Sequence, residues 1–178
     1  MAILNVRQFG DNVLGKVCKP VKAITPRIEE LVNDMYETMY DAGGVGLAAP
    51  QVGVLKRIVV IDVTPDPEEG EDPESIKPMR YTMINPEIQE TSGEQTGWEG
   101  CLSLVGKSGM VTRPDHVKVR FTDLDGAEYE LEGEGLLARA ICHECDHLDG
   151  VLYTSKVEGK VYTNEEIAEM ANRKEENG

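Results

Sequence analysis

The pentapeptide His143-Glu144-Cys145-Asp146-His147 constrains this chain more than any other feature. It sits inside a stretch of helical pattern, Leu136 to Leu148. On a helix, residues four apart stand one above the other, so His143 and His147 can aim ring nitrogens at a common point. Glu144 projects about 100° around the helix from His143, near enough to reach a water molecule at that point without being a ligand. Two imidazoles, an adjacent carboxylate and an open position are what metal-assisted hydrolysis requires.

A solvated helical face could carry the same five residues, and composition argues against that reading. The chain has only three histidines, and two of them fall here. Leu136, Leu137, Ala140, Ile141, Leu148 and Val151 surround the motif, and a helix apolar on most sides is buried. Buried imidazoles beside a carboxylate need partners, and a metal ion provides one. Cys142 and Cys145 form C-x-x-C, a spacing shared with redox and zinc pairs. On the helical wheel Cys145 lies about 160° from His143 and Cys142 about 100° to one side. Neither aims where the histidines aim, so both read as small apolar filler.

The 178 residues suit one domain spanning 1–178, with enough chain for a proper core. No apolar run reaches membrane-spanning length, and Met1 to Arg7 lacks a basic segment followed by a long apolar one. The expected location is the cytoplasm, with no membrane partner. A formal net charge of −15 disfavours direct nucleic-acid binding, which needs clustered Lys and Arg. The four cysteines, Cys18, Cys101, Cys142 and Cys145, are expected to be free thiols.

Local signals give an outline of the rest. Thr25 is a fitting N-cap with Pro26 behind it, and Ile28, Leu31, Val32, Met35 and Met39 make the buried stripe of a helix that ends before Gly43-Gly44. The segment Gly44-Val45-Gly46-Leu47-Ala48-Ala49-Pro50-Gln51 is small and apolar, and reads as a tight turn or a place of close approach. Arg57 to Val63 is a strand. Residues 64–78 hold four prolines and six acids and form a surface excursion. Short strands are expected at Tyr81–Ile84 and Ile88–Thr91, a half-buried strand at Val117–Thr122, and a hairpin return at Glu128–Glu132. A last helix covers about 163–174, opened by a Thr163/Glu166 capping box. The fold class is α+β: antiparallel strands packed around a central metal-binding helix, with N- and C-terminal helices.

A catalytic metal site needs a third protein ligand. His116, a carboxylate and Cys101 are all available. His116 opens a strand, where a surface role suits it. Cys101 lies in Trp98-Glu99-Gly100-Cys101-Leu102-Ser103, a glycine-bounded segment too irregular for a long strand. A thiolate with two imidazoles suits iron(II), zinc, nickel or cobalt.

Three segments stand in order: Gly44 to Gln51, then Glu99-Gly100-Cys101-Leu102-Ser103, then His143-Glu144-Cys145-Asp146-His147-Leu148-Asp149-Gly150. Together they closely resemble the peptide deformylases, from the N-terminal segment through Gly150. The resemblance implies removal of the formyl group from the N-terminal formylmethionine of new proteins, in bacteria or organelles. It implies one divalent ion held by Cys101, His143 and His147, with iron(II) the usual native metal and zinc, nickel or cobalt as substitutes. Glu144 would be the acid/base, and the Gln51 side chain and Leu102 N–H would stabilise the oxyanion. Gly46 would pair with the extended substrate, while Val45, Leu136, Arg139 and Ala140 would wall the methionine pocket. Glu99 would stand behind the ligands as the polar residue of its motif. The implied partners are N-formylmethionyl nascent peptides, with transient proximity to the ribosome.

Two departures touch the groove and its supporting hydrogen bonds. Cys142 stands where glutamine is common, and Leu104-Val105-Gly106 stands where a proline is common. Ribosome docking by a basic C-terminal helix is not expected, because Glu165, Glu166, Glu169, Glu175 and Glu176 outweigh Arg173 and Lys174. Two rivals share parts of the pattern. A zinc metallopeptidase would draw its third ligand downstream, from Glu158, Glu165 or Glu166. A non-catalytic metal-binding module would have no use for both Glu144 and Gln51.

Overall fold

The computed structural model describes residues 2–177; Met1 and Gly178, the ends of the 1–178 domain expected above, lie outside the described residues. Three α-helices and eight strands follow in the order α1 (Pro26–Asp41), β1 (Gly46–Ala48), β2 (Ile58–Asp62), β3 (Arg80–Ser92), β4 (Gln95–Cys101), β5 (Leu104–Arg113), β6 (His116–Thr122), β7 (Glu128–Glu134), α2 (Gly135–Leu148), β8 (Val157–Thr163) and α3 (Asn164–Asn177). The strands form two antiparallel sheets. One has five strands in the order β1-β2-β3-β6-β7, and the other has three in the order β4-β5-β8.

The uninterrupted apolar run of β2 has a structural cause: both faces of the five-stranded sheet are covered. Val59 and Ile61 join Met83, Val117, Val119, Leu137, Ile141 and Leu148 in a core beneath α2. Ile58, Val60, Leu47 and Ile84 face the other way, onto Ile28, Val32, Met35 and Met39 of α1. Leu31, expected in that stripe, only packs against its margin. Ile58 is fully buried on the α1 side, away from α2. Ile58→Ala is therefore expected to cost about 2–5 kcal/mol of stability in urea melts, with activity per folded molecule unchanged.

The two helix ends that matter are closed by local chemistry. Thr25 caps α1 as expected, its side chain accepting from the Ile28 N–H at 3.4 Å. The end of α2 is a Schellman turn: the Gly150 N–H donates to His147 O at 3.1 Å and the Val151 N–H to Asp146 O at 2.9 Å, with Gly150 at φ +74°. A side chain at Gly150 would also strike the Gly15 carbonyl at 2.6 Å. The Cys18 N–H and Arg57 Nη1 then take the last free carbonyl, Leu148 O. The C-terminal helix opens on the expected reciprocal pair, Thr163 N to Glu166 Oε1 and Glu166 N to Thr163 Oγ1, each at 3.1 Å.

Several expectations need correction. The two short strands around Asn85-Pro86 are one thirteen-residue strand, β3. Its register shifts between Ile84 and Glu87, so Pro86, which has no N–H, falls in a bulge rather than ending the strand. Asn85 adopts φ +52° there, and its amide brackets the Val21 backbone. The segment around Cys101 is also regular. It belongs to β4, an edge strand whose irregularity is confined to a register shift between Glu99 and Cys101. The Gly44–Gln51 segment is more than a turn, for it contains β1 and a short 3-10 turn at Ala49–Val52. Strands β5 and β8 have no counterpart in the sequence reading; their glycines (Gly106, Gly109, Gly159) mask the strand pattern.

Candidate metal centre

Cys101 ends β4, at the edge of the small sheet, while His143 and His147 project from the middle and last turn of α2. The Cys101 sulfur and one ring nitrogen of each histidine lie within 4.8 Å of one another, and among the described residues this is the group able to hold a metal ion. Cys101 Sγ is 3.4 Å from His147 Nε2, which is 3.2 Å from His143 Nε2. Both imidazoles are buried. His143 Nδ1 lies 2.5 Å from Glu99 Oε1. With the proton on that nitrogen, Nε2 is left as a lone pair facing the second imidazole and the sulfur. Facing donor atoms packed this closely in a buried site repel unless a cation lies between them, so the donor set fits a divalent ion.

The other candidate ligands stay apart. His116 begins β6 opposite Glu134 and is not in the cluster. Glu158 accepts from Thr112 Oγ1, Glu166 caps α3, and Glu158, Glu165 and Glu166 are all exposed. The downstream ligand required by the metallopeptidase alternative is therefore absent from the cluster. Cys142 and Cys145 are buried in the core beneath α2, and burial raises both thiols above their ordinary pKa.

Glu144 is buried beside the donor atoms. Its Oε2 is 4.0 Å from His143 Nε2, and its Oε1 has no hydrogen-bond partner among the described residues. Burial, the dominant influence, pushes its carboxyl up to about 7, against the pull of His143. A carboxyl poised near neutrality is suited to both taking and returning a proton. Gly46 explains how the carboxylate fits: a Cβ there would lie 2.5 Å from Glu144 Oε2 and 2.9 Å from its Cδ. The glycine of β1 thus serves the close approach of the Glu144 carboxylate, a contact that sequence reading did not anticipate. Gly44 similarly leaves room for the Leu102 side chain.

Gln51 is 1% exposed, held by its own turn as Oε1 accepts from the Ala48 N–H at 2.9 Å. Its Nε2 donates to Ser103 Oγ at 3.0 Å and to Cys101 Sγ at 3.4 Å. Ser103, buried between these groups, was not singled out in the sequence although it closes the cysteine motif. Leu102 follows Cys101 directly, and its carbonyl accepts from Gln8 Nε2.

A cavity of about 620 Å³ opens beside the donor atoms. Val45, Gly46, Leu136, Arg139 and Ala140 all line it, as do Gln51, Leu102 and Glu144. Val45 and Leu136 are exposed on its rim. Arg139 behaves differently from a simple apolar wall: its Nη1 donates to Glu99 Oε2 at 2.7 Å and to Val111 O at 3.1 Å. The guanidinium is occupied by the protein.

Glu99 is the hub behind the donor atoms. Besides His143 it accepts from Arg113 at 2.6 and 3.2 Å. Burial opposes its ionisation, but the hydrogen bonds from His143 and Arg113 hold its pKa down at about 2. With no cation at the centre, burial likewise opposes charging His143, yet Glu144, Cys101 and Glu99 hold its pKa well above the ordinary imidazole value, so a bound cation would take the place of the Nε2 proton. His147 is pushed down to about 3, by burial first and then by His143. Arg113 and Tyr153, whose ring stacks on His143 at 5.9 Å, are site neighbours that sequence reading missed. No motif marks either, and the strand carrying Arg113 left no legible pattern.

The family model for polypeptide deformylase matches residues 3–162. The chain belongs to the peptide deformylase family. A protein named peptide deformylase from Agathobacter rectalis is 61% identical over 162 residues, covering 91% of this chain and 94% of that one. Among solved structures, a peptide deformylase from Legionella pneumophila is similar with a TM-score of 0.78 at 40% identity, covering 89% of this chain and 88% of that one. A Met-Ala-Ser-bound class I type b peptide deformylase from Acinetobacter baumannii has a TM-score of 0.78 at 34% identity, covering 88% and 99%. The family match covers all three motifs and stops short of α3.

Proposed function

We infer that this chain is a metal-dependent peptide deformylase, which removes the formyl group from the N-terminal formylmethionine of newly synthesised proteins and releases formate. One observation carries the site assignment: a sulfur from β4 and two imidazoles from α2 converge beside a buried carboxylate at a cavity. Cys101, His143 and His147 would hold a single divalent ion, iron(II) by family habit, with zinc, nickel or cobalt as substitutes. Such an ion supplies Lewis acidity and makes water a competent nucleophile near neutral pH.

The chain's own residues do the rest. Glu144 accepts a proton from the water that attacks the formyl carbon and returns it to the departing amine. Charge develops on the formyl oxygen, where the Gln51 amide and the Leu102 N–H would donate; one such donor can be worth about 3 kcal/mol in the barrier. Gln51 Nε2 already points at the centre, and its longer contact, to Cys101 Sγ, is the one a substrate oxygen would share. Strand β1 lies at the edge of its sheet, so Gly46 and its neighbours can pair with an extended peptide by strand addition. Val45, Leu136, Ala140 and the Arg139 stem would receive the methionine side chain, a flexible thioether suited to an apolar cavity. The substrates are nascent N-formylmethionyl peptides in the bacterial cytoplasm, met close to the ribosome. Direct nucleic-acid binding and docking by the acidic α3 are not part of this reading. No helix among the described residues is long and apolar enough to cross a membrane.

Protein purified without oxygen is expected to carry one metal per chain and to release formate from formyl-Met-Ala-Ser, while leaving the unformylated and internal-peptide controls intact. Cleavage of the internal control without formate release would favour a metallopeptidase. Cobalt-substituted protein should show a thiolate-to-metal absorption band that Cys101→Ser abolishes. If the wild-type cobalt protein lacks the band, Cys101 is not a ligand.

A further inference from the structure

Behind the three donor atoms, Arg113 at the end of β5 ties its own strand to groups from two other elements, β4 and α2. Its side chain is 3% exposed. Nε and Nη2 grip the two oxygens of Glu99, at 3.2 and 2.6 Å, in a fork-to-fork pair. Nη1 donates to Asp146 Oδ2 at 2.6 Å, and Lys156 reaches the same oxygen from outside at 2.9 Å. Glu99 Oε1, gripped by Arg113, is also the oxygen beside His143 Nδ1. One guanidinium therefore sets the plane of the carboxylate that orients His143, and takes hold of α2 again three residues later.

Arg139 does not duplicate this grip. It reaches only one of the two Glu99 oxygens, Oε2, and its other bonds go to the Val111 and Gln95 carbonyls, so it ties an earlier turn of α2 to the small sheet and does not hold Glu99 Oε1 or Asp146. Arg113 belongs to β5, the strand paired with β4, which carries Cys101. It is thus fixed to the sheet that bears the sulfur while holding the helix that bears the imidazoles. A buried ion cluster is rarely the most stable filling of such a space. Orientation of the ligands is a better reason for its presence here.

Building on the ligand assignment above, we propose that Arg113 is a positioning residue for the metal centre: through Glu99 it sets the ring of His143, and through Asp146 it fixes the rotation of α2 against the sheet carrying Cys101. Arg113→Lys keeps the charge but loses the planar fork. In folded Arg113→Lys protein, metal affinity is expected to fall about 10- to 100-fold, as for other lost partners of metal-binding histidines. The thiolate-to-cobalt band should shift, and kcat for formyl-Met-Ala-Ser should drop with KM nearly unchanged. A merely structural arginine would lower the melting temperature and leave the band and metal affinity alone, and that result overturns the proposal. If Arg113→Lys does not fold, Asp146→Asn, at a partly exposed carboxylate, removes the helix arm alone. A smaller shift of the band is then expected, and a wild-type band with wild-type metal affinity in Asp146→Asn overturns the proposal. Absence of the band from the unmodified cobalt protein would instead defeat the assignment of Cys101.

Discussion

Glu144→Gln is expected to lower kcat for formate release by about 10²- to 10⁴-fold, the usual worth of a positioned acid/base, with metal content unchanged. The metal should stay because Glu144 is not one of the three converging donors. The amide keeps the size and shape of the carboxyl, so the cavity beside it stays filled. The same change should stabilise the chelator-stripped protein at alkaline pH. Burial raises the Glu144 pKa from 4.5 to about 7, so between those values the folded protein binds a proton that the unfolded chain does not. Its contribution to stability is fully present below about pH 4.5 and is lost as pH rises through about 7. The neutral amide of the Glu144→Gln variant has no such loss, so the melting temperature of the variant should exceed that of wild type at pH 8 and approach it near pH 4.5. A variant that deformylates at the wild-type rate would remove Glu144 from the reaction.

Gly46→Ala is expected to lower kcat by about 10²-fold with little change in fold stability or metal content. The added methyl would lie 2.5 Å from Glu144 Oε2 and 3.0 Å from its Cγ. The backbone of β1 is held by its pairing with β2, Gly46 opposite Ile61, so the carboxylate is the group that yields. Displacing the end of one side chain costs little in folding, but a shift of about 1 Å in a catalytic group can cost two orders of magnitude in rate. Steady-state kinetics beside a thermal melt separates the two effects. Unchanged kcat in Gly46→Ala would mean that the position of Glu144 is not critical.

Both results turn on the difference between local and long-range information. The H-E-x-x-H helix was legible because a helical repeat puts His143 and His147 on one face whatever surrounds them, and its apolar frame made it a buried helix. Helix α1 was legible from Thr25, Pro26 and its apolar spacing, β2 from its β-branched run, and β6 from its alternation of apolar and polar residues. Cys101 was different, since by itself it reads as a core cysteine, and it was marked only by its pairing with the H-E-x-x-H helix and then by the order of the three motifs. Strands β5 and β8 escaped because glycine interrupts their pattern, and β3 was divided because Pro86 looks like a break when the bulge that accommodates it is out of view. The partners of Arg113 are 14 and 33 residues away along the chain, a separation at which no periodicity carries information.

The amino-acid order by itself determined the spacing of the two imidazoles, the neighbouring acid and the helix that carries them, because these follow from the geometry of a single helical turn. Tertiary structure decided which sulfur meets those imidazoles, why position 46 must lack a side chain, and which arginine braces the assembly. Those outcomes depend on packing two sheets against α2, and contact distances between separate elements are set only when the whole core closes around them.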